Sequence, residues 1–256
     1  MKKRIKFFSV NLDLYSMQET LEEISYYIKN RTPIQHVVVN VSKLVYAQKD
    51  EQLRNIINAC PIINVDGAGV ILGAKMLGIN IPHRVTGIDL MEELIKYSSE
   101  NGYRVYFFGA TEEVNRAVVE HYVEKYPNLQ IAGRRNGYYT EQDEKGIVEE
   151  MKNSNADILF VAMGSPKKEI FLGKYSKDLN IPFTMGVGGS FDVVTGKVKR
   201  APIWVQNMNS EWLYRLIQEP RRMWKRYFVT NSLFLLMIIK EKIHPTFTKN
   251  KIEDEN

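Results

Sequence analysis

The segment that decides the fold is DILFVAMGSPKKEIFLGKYSKDLNIPFTMGVG, residues 157–188. Two short apolar runs, at 157–164 and 182–188, flank a helical pattern over 166–180. Both runs carry β-branched and aromatic residues and are largely apolar on both faces, which is typical of parallel strands covered by helices. A strand, a helix and a second strand in this order predict a βαβ unit.

The same alternation continues toward the N-terminus. Apolar runs predict further strands at residues 34–40, 62–66 and 103–110. Helical patterns lie between the strands, at residues 42–59, 68–78, 89–101, 112–126 and 141–153. Segments that resemble capping boxes begin at Ser16, Thr86 and Thr140, and Pro166 stands where a helix is expected to start. We therefore predict an α/β domain with a mostly parallel sheet over residues 1–194.

The carboxyl ends of these strands are the expected ligand site, because open α/β sheets bind ligands there. The residues at these ends are Asn40 and the segments 66–69, 109–110, 164–166 and 186–189. Four of the five turns carry glycine, which lets backbone approach a ligand closely and suits a phosphate at a helix N-terminus. Tight turns need glycine in any case, so this feature leaves a nucleotide ligand and a purely structural role open.

Composition places the chain among ordinary globular proteins. It has 256 residues, of which 44% are hydrophobic and 25% charged, enough to bury a full core. A single cysteine, Cys60, excludes an internal disulfide framework and fits a reducing cytoplasm. The basic residues 1–4 lead into an apolar stretch too short for a signal peptide, so we expect no secretion signal.

The positive charge is concentrated in the C-terminal segment, residues 195–256. This segment holds 12 Lys and Arg residues against 6 Asp and Glu residues, whereas the whole chain carries a net charge of +5. In residues 198–226, Trp, Tyr and Leu alternate with Arg and Lys, and the apolar run 227–239 that follows is too short to span a membrane. The pattern leaves open a helix on a membrane surface, a helix packed on the sheet and a nucleic-acid-binding tail.

Metal ligands and nucleotide signatures are missing from the sequence. It has no Asp-x-Asp pair, and its four histidines and one cysteine are scattered along the chain. We therefore expect no metal requirement. Neither a P-loop nor a well-placed dinucleotide-binding motif occurs, which argues against ATP hydrolysis and dinucleotide binding.

Six segments in a fixed order carry a family resemblance. They are NVDGAG (64–69), RVTGID (84–89), GSPKKE (164–169), GVGGSFD (186–192), GKVKRAP (196–202) and EWLYRLIQEPRR (211–222). Together they resemble the WecG/TagA/CpsF family of bacterial glycosyltransferases, glycosyltransferase family 26, over about residues 8 to 230. The segments at 161–171 and 186–202 look especially like the WecG branch.

The resemblance implies a Rossmann-like fold and an inverting, metal-independent transfer. The expected donor is a UDP-sugar, typically UDP-N-acetylmannosamine, and the expected acceptor is N-acetylglucosamine on undecaprenyl diphosphate. Products of this family enter teichoic acid or other surface polysaccharides. The resemblance also implies that residues 195–256 form an appendage that docks on the anionic inner face of the bacterial plasma membrane, and it allows self-association. On this reading a nucleic-acid-binding function is a remote alternative.

The resemblance favours Asp66 as the catalytic base; the residue follows a strand and precedes a glycine turn, a position that by itself suits a base and a helix cap about equally. Its alternative role is to cap the helix predicted at 68–78.

By resemblance, Arg84 is expected to bind phosphate or sugar, with a surface ion pair as its alternative. Tyr138 matches an aromatic position expected to stack on uracil, with ordinary packing as its alternative.

The remaining matches concern the nucleotide. Gly188, Gly189 and Asp192 correspond to the loop expected to hold it. Arg215 and Arg222 match appendage arginines expected to reach the diphosphate, and both also suit lipid headgroups.

Two departures from the family pattern bear on the donor sugar. Many members have threonine two residues before the position of Asn40, a further substrate-binding candidate, whereas this chain has Val38. Many have glutamine where this chain has Lys168. We expect Lys168 to bind substrate by pairing with an anion, either a donor phosphate or a uronate carboxylate. UDP-N-acetylmannosamine-uronate and a UDP-hexose therefore stay open as donors.

Overall fold

The computed structural model describes residues 3–208, 210–244 and 253–254, without the side chains of Asn207, Arg222, Glu253 and Asp254. The strands are β1 (Lys3–Phe7), β2 (Val10–Asp13), β3 (Ile34–Val39), β4 (Ile62–Val65), β5 (Arg104–Gly109), β6 (Gln130–Arg135), β7 (Ile158–Ala162), β8 (Phe183–Gly186) and β9 (Glu253–Asp254). The helices are α1 (Met17–Lys29), α2 (Val41–Lys49), α3 (Glu51–Asn58), α4 (Ala68–Met76), α5 (Gly87–Asn101), α6 (Glu112–Lys125), α7 (Glu144–Asn153), α8 (Lys167–Leu179), α9 (Ser190–Val194), α10 (Ile203–Asn207), α11 (Glu211–Gln218) and α12 (Pro220–Ile243). A 3₁₀ turn, Glu141–Asp143, precedes α7.

The centre of the molecule is a six-stranded sheet in the order β4-β3-β8-β7-β5-β6. All of its neighbouring strands run parallel. The carboxyl ends of the strands therefore lie along one edge, where the predicted ligand site falls. The α/β fold with a parallel sheet, helical flanks and C-terminal helices is confirmed.

Helices cover both faces of this sheet. Alternate residues of β3 point to opposite sides, so that Val38 joins one apolar cluster and Val37 and Val39 join another. The first cluster is built with α1, α5 and α6. The second is built with α2, α3, α4 and α12, and a third joins α7 and α8 to β5 and β7. This two-sided cover explains why the strands are apolar throughout.

An antiparallel hairpin of β1 and β2, with β9 beside β1, stands next to the main sheet. Arg4 holds this hairpin by a two-pronged pair with Asp13, at 2.8 and 3.0 Å. Asp13 in turn accepts a hydrogen bond of 2.7 Å from the backbone N–H of Ile63 in β4. The buried carboxylate thus joins the hairpin to the edge of the main sheet.

Besides the unpredicted hairpin of β1 and β2, the structure differs from the sequence-based prediction in one helix and one strand of the α/β domain. The helix predicted at 42–59 is two helices, because Asp50 ends α2 and caps α3 through a 2.9 Å bond from the backbone N–H of Leu53. The strand β6 was not predicted, since it is an edge strand with the polar sequence QIAGRR and lacks a fully buried residue.

The long helix α12 packs on α2 and α4 with part of its surface. Phe234 and Ile238 are buried in the second core cluster, and the ring of Phe234 lies so close to Gly73 of α4 that a side chain there would clash. Ser42 and Thr230 link α12 to α2 through their hydroxyls at 3.3 Å. Among the described residues, no helix combines the length and apolar character needed to cross a membrane.

Candidate active site

Asn40 and Asp66 follow neighbouring parallel strands and meet at the carboxyl edge of the sheet. Asp66 donates its backbone N–H to the carbonyl of Val39 at 2.9 Å. Asn40 caps α2, accepting a 3.1 Å bond from the backbone N–H of Lys43. Gly67 has φ +101°, a conformation that favours glycine, and an added Cβ there would lie 3.9 Å from the Cβ of Asn40. The two predicted residues are therefore adjacent.

The carboxylate of Asp66 does not cap the helix that follows it. Gly67 occupies the N-cap position of α4, and no side chain caps that helix. Asp66 instead accepts a backbone hydrogen bond from Gly87, the first residue of α5. The capping role for Asp66 is thus excluded, and its carboxylate lies at the N-terminal end of a helix on the ligand edge.

The surroundings of Asp66 raise the pKa of its carboxyl group. Burial is the largest cause, and the negative charge of Glu211 adds to it. The positive charges of Arg84 and Lys43 and the hydrogen bond from Gly87 act in the opposite direction without cancelling the shift. A carboxyl group with a raised pKa is better matched to accepting a proton near neutral pH than an ordinary aspartate.

Arg84 precedes α5, and its guanidinium pairs with the carboxylate of Glu211 in α11. Its side chain is only 16% exposed and that of Glu211 28%, so this is not a fully solvated surface pair. The backbone N–H of Val85 donates to the carbonyl of Val65 at 3.0 Å, which fixes this loop beside the end of β4. Arg84 therefore lies between the predicted base and the C-terminal segment.

A second group of predicted residues gathers at the end of β8. Gly188 has φ +58°, and the guanidinium of Arg215 lies against Gly189 so closely that any side chain there would clash. Asp192, in the first turn of α9, is half-buried with Lys197 at 3.7 Å from its carboxylate. The structure thus brings Arg215 of α11 to the glycine loop that was predicted to hold the nucleotide.

Tyr138 lies at the other end of the sheet edge, in the loop after β6. Its side chain is 76% exposed, so packing does not account for its presence. Gly137 donates to the carbonyl of Ala110 at 2.9 Å, which attaches this loop to the turn after β5. The ring is available for stacking on a planar ligand.

Lys168 is buried in the first turn of α8 and pairs with a carboxylate of the chain itself. Its ammonium lies 2.8 Å from Glu169, and Lys43 lies 2.9 Å from the same oxygen. Burial, with the charge of Lys43, lowers the pKa of Lys168 to about 8 despite the carboxylate. Both lysines hold the pKa of Glu169 down to about 2, against the opposing effect of its burial.

One predicted site residue, Arg222, cannot be placed, and three partners of the site residues were not predicted. The side chain of Arg222 lies outside the described residues. Within the part of the chain that the structure describes, no group of three His, Cys, Asp or Glu residues is placed to hold a metal ion. Sequence reasoning missed Lys43, Glu169 and Glu211 as partners of the site residues. Two signals in the sequence could have found them. Lys43 lies at the start of a helix beside Asn40, and Glu211 belongs to the EWLYR segment.

This edge of the sheet combines a carboxylate of raised pKa beside an arginine with a glycine loop that a second arginine contacts. Together with the fold, these features indicate an α/β group-transfer enzyme. The sequence matches the Glycosyl transferase WecG/TagA/CpsF family over residues 5–247. The chain belongs to this family and is a glycosyltransferase.

Curated relatives cover nearly the whole chain. A protein of Bacillus subtilis (strain 168) is 34% identical over 238 residues, 93% of this chain and 91% of the relative. A protein of Staphylococcus aureus (strain MW2) is 31% identical over 243 residues, 93% of each chain. One from Bacillus spizizenii is 34% identical over 180 residues, 70% of this chain and 69% of the relative. Each is named N-acetylglucosaminyldiphosphoundecaprenol N-acetyl-beta-D-mannosaminyltransferase.

Proposed function

We propose that this protein transfers N-acetylmannosamine from UDP to N-acetylglucosamine carried on undecaprenyl diphosphate, with inversion at the anomeric carbon. The names of the relatives support the two sugars and the lipid carrier. The observation that carries the mechanism is the placement of Asp66, whose carboxylate has a raised pKa and lies beside Arg84 on the ligand edge.

The proposed reaction needs one base and a stabilised leaving group. The acceptor hydroxyl attacks the anomeric carbon of the donor, and Asp66 takes the proton of that hydroxyl. The bond between the anomeric carbon and the diphosphate oxygen breaks, and UDP leaves with the bonding electrons. Arg84 and Arg215 supply positive charge for the diphosphate, while Gly188 and Gly189 allow close approach of backbone. Asn40, Asp192 and Arg222 are further substrate contacts in this proposal, with Tyr138 stacking on uracil.

The buried pair of Lys168 bears on the donor sugar. A uronate donor would bring its own carboxylate, whereas the ammonium of Lys168 already lies 2.8 Å from Glu169. This arrangement favours a neutral sugar over a uronate, because a second carboxylate would have to displace Glu169 from a buried ion pair. N-acetylmannosamine is therefore the preferred donor, with the uronate as the alternative.

The acceptor is lipid-linked, and the C-terminal helices offer a surface for a membrane. Large apolar side chains are exposed along them: Ile203, Trp204, Met208, Trp212, Leu213, Ile217, Trp224, Phe228, Val229, Leu235, Leu236, Ile239 and Ile243. Arg221, Lys225 and Arg226 are exposed near the start of α12. Apolar and basic side chains together suit the anionic inner face of the plasma membrane.

The donor and acceptor are tested with the purified full chain and a short-chain analogue of undecaprenyl-diphosphate-N-acetylglucosamine. We expect turnover with UDP-N-acetylmannosamine to exceed that with its uronate and with UDP-glucose, and to persist in EDTA because no metal takes part. Preference for another donor overturns the proposed sugar. Loss of turnover in EDTA, restored by Mg²⁺ or Mn²⁺, overturns the metal-free mechanism.

Membrane docking is tested by sedimentation with anionic and neutral vesicles. Truncation at residue 197 would also remove Phe234 and Ile238 from the core, so point substitutions are preferable. We expect binding to anionic vesicles that falls with added salt and with Phe228→Ser. Val123→Ser, at an exposed valine of α6, is the matched control and should bind like the parent. Equal binding by the two variants would remove this face from the docking surface.

A further inference from the structure

Helix α4 of the catalytic domain is apolar on every side. Lys75 is its one polar residue. A helix of this composition is normally buried in a protein core or in a membrane. Here Val70 and Ala74 are buried, whereas Leu72 is 61% and Met76 43% exposed. The protein core accounts for one side of α4 and leaves the exposed side without a partner in the structure.

The exposed side of α4 continues the apolar surface of α12. Phe234 and Ile238 of α12 meet α4 at Gly73, the residue after Leu72. On one side of this contact, both helices pack into the second core cluster, through Val70 and Ala74 of α4 and Leu233 and Met237 of α12. The other side is exposed on both helices and forms an outer apolar patch of Leu72, Met76, Leu235 and Ile239. The surface proposed for the membrane therefore extends beyond the C-terminal helices onto the catalytic domain.

The charges around the outer apolar patch indicate what covers it. In α4 and residues 227–243 of α12, all of which the structure describes, the exposed charged residues are Lys75, Lys240 and Lys242. The acidic residue of these two stretches, Glu241, is buried. Positive charge beside exposed apolar side chains fits an anionic lipid surface. A second copy of the chain would bring like charges together at the same patch, which disfavours self-association there.

Helix α4 also connects the outer apolar patch to the proposed base. Asp66 and Gly67 directly precede Ala68, the first residue of α4. At a rise of 1.5 Å per residue, Leu72 lies about 6 Å and Met76 about 12 Å along the helix axis from Ala68. An acceptor sugar that is joined to its lipid through a diphosphate stays close to the headgroups. A lipid surface on the patch would therefore lie within one short helix of the residue that must reach this sugar.

We propose that Leu72 and Met76 insert into the lipid surface beside α12, so that the catalytic domain itself rests on the membrane together with the C-terminal segment. This inference rests on the proposed function, because the lipid-linked acceptor is the reason for the docking. In this arrangement α4 sets the height of Asp66 above the headgroups.

Vesicle binding by the full chain tests the contact. Leu72→Ser and Met76→Ser, made together, should weaken binding to vesicles of phosphatidylglycerol and phosphatidylcholine about 10-fold to 100-fold, since burial of one leucine side chain has an effect of this size. Tyr26→Ser is the matched control, because Tyr26 is 62% exposed on α1, which packs on the opposite face of the sheet. This variant should bind like the parent. Equal binding by the double variant and the parent overturns the proposal.

A fluorophore that shifts to shorter wavelength in apolar surroundings gives a direct signal for insertion. Nitrobenzoxadiazole is attached to the full chain carrying Leu72→Cys, and the parent treated with the same reagent gives the background from the buried Cys60. We expect a blue shift on addition of vesicles with Leu72→Cys and none with Tyr26→Cys. Absence of a shift with Leu72→Cys contradicts insertion. If the double variant instead dissociates a dimer in sedimentation velocity and binds vesicles like the parent, the patch contacts a second copy and the proposal is wrong.

Turnover separates the membrane contact from the proposed function. With a water-soluble short-chain acceptor, the double variant should transfer sugar at the rate of the parent. With the full-length acceptor in vesicles, its rate should fall in step with binding. Equal losses with both acceptors would show that Leu72 and Met76 act on the site rather than on docking, and would overturn the proposal. An enzyme that prefers another donor leaves the vesicle results unchanged, so the two failures are distinguishable.

Discussion

Two clusters of three charged side chains lie on the ligand edge. They differ in the sign of the charge that predominates and in how far the side chains are exposed. One joins Asp66, Arg84 and Glu211, with two carboxylates around one cation, and all three side chains are half-buried. The other joins Lys43, Glu169 and Lys168, with two cations around one carboxylate, and its ion-paired side chains are at most 7% exposed. The first cluster lies by α5, and the second joins α2 to α8, which pack on the opposite face of the sheet from α5.

The difference favours a reactive role for the half-buried cluster and a structural role for the buried one. In the buried cluster every charge has a partner inside the chain, and bringing in a substrate would require breaking an ion pair in a dry environment. The half-buried cluster combines a raised pKa with access from the edge. Lys43 connects the two, since it contacts Glu169 directly and its charge also acts on Asp66.

Removing the proposed base, Asp66, tests the half-buried cluster and has the largest expected effect. Asp66→Asn should lower the transfer rate about 10²-fold to 10⁴-fold, the usual range for a lost general base, with little change in melting temperature. Asp89→Asn, at another carboxylate of the same helix start, is the control and should cost less than tenfold. Near-normal turnover in Asp66→Asn would take this residue out of the mechanism.

Removing the central carboxylate tests the buried cluster. Glu169→Gln leaves Lys43 and Lys168 facing each other, and we expect the free energy of unfolding to fall by about 3–5 kcal/mol. Urea denaturation measures this loss. Glu112→Gln breaks the exposed pair with Arg134 and should change the free energy of unfolding little, because solvent screens this pair. Similar losses in the two variants would show that burial does not distinguish the clusters.

The smallest effect concerns the pH dependence of stability. Lys168 has a pKa of about 8 in the folded protein against 10.5 as its ordinary value, so the unfolded chain holds this proton more tightly. The parent should therefore gain stability relative to Lys168→Gln as the pH rises from 8 to 10.5, by at most about 1.4 kcal/mol per pH unit. Parallel stability curves from pH 7 to pH 10 would contradict a depressed pKa.

Sequence patterns predicted the parts of the fold that depend on local apolar periodicity. The five expected strands of the central sheet are present, because each is buried and apolar on both faces. The edge strand β6 and the hairpin β1–β2 were missed. The first is too polar to resemble a buried strand, and the second owes its place to the pair of Arg4 with Asp13 and to contacts with β4.

The candidate site was predictable where it follows the ends of strands. Asn40 and Asp66 had to lie close together, since parallel neighbours end at the same edge. The partners of these residues were not predictable in the same way. Glu211 reaches Arg84 across 127 positions, and Lys43 reaches Glu169 between two helices. Such pairs depend on how helices pack, and one sequence contains no periodic signal for that.

The contact between the two ends of the chain affects how the protein is made. Phe7 and Phe8 of the first strand and its turn lie with their ring centres 6.4 and 6.2 Å from that of Phe234 in the last helix. Ribosomes add about 5–20 residues per second, so these phenylalanines wait roughly 10 to 50 s for their partner. During translation the nascent chain therefore exposes an apolar surface next to β4. Until α12 leaves the exit tunnel this surface has no partner helix, and transiently exposed apolar surface of this kind is prone to aggregation.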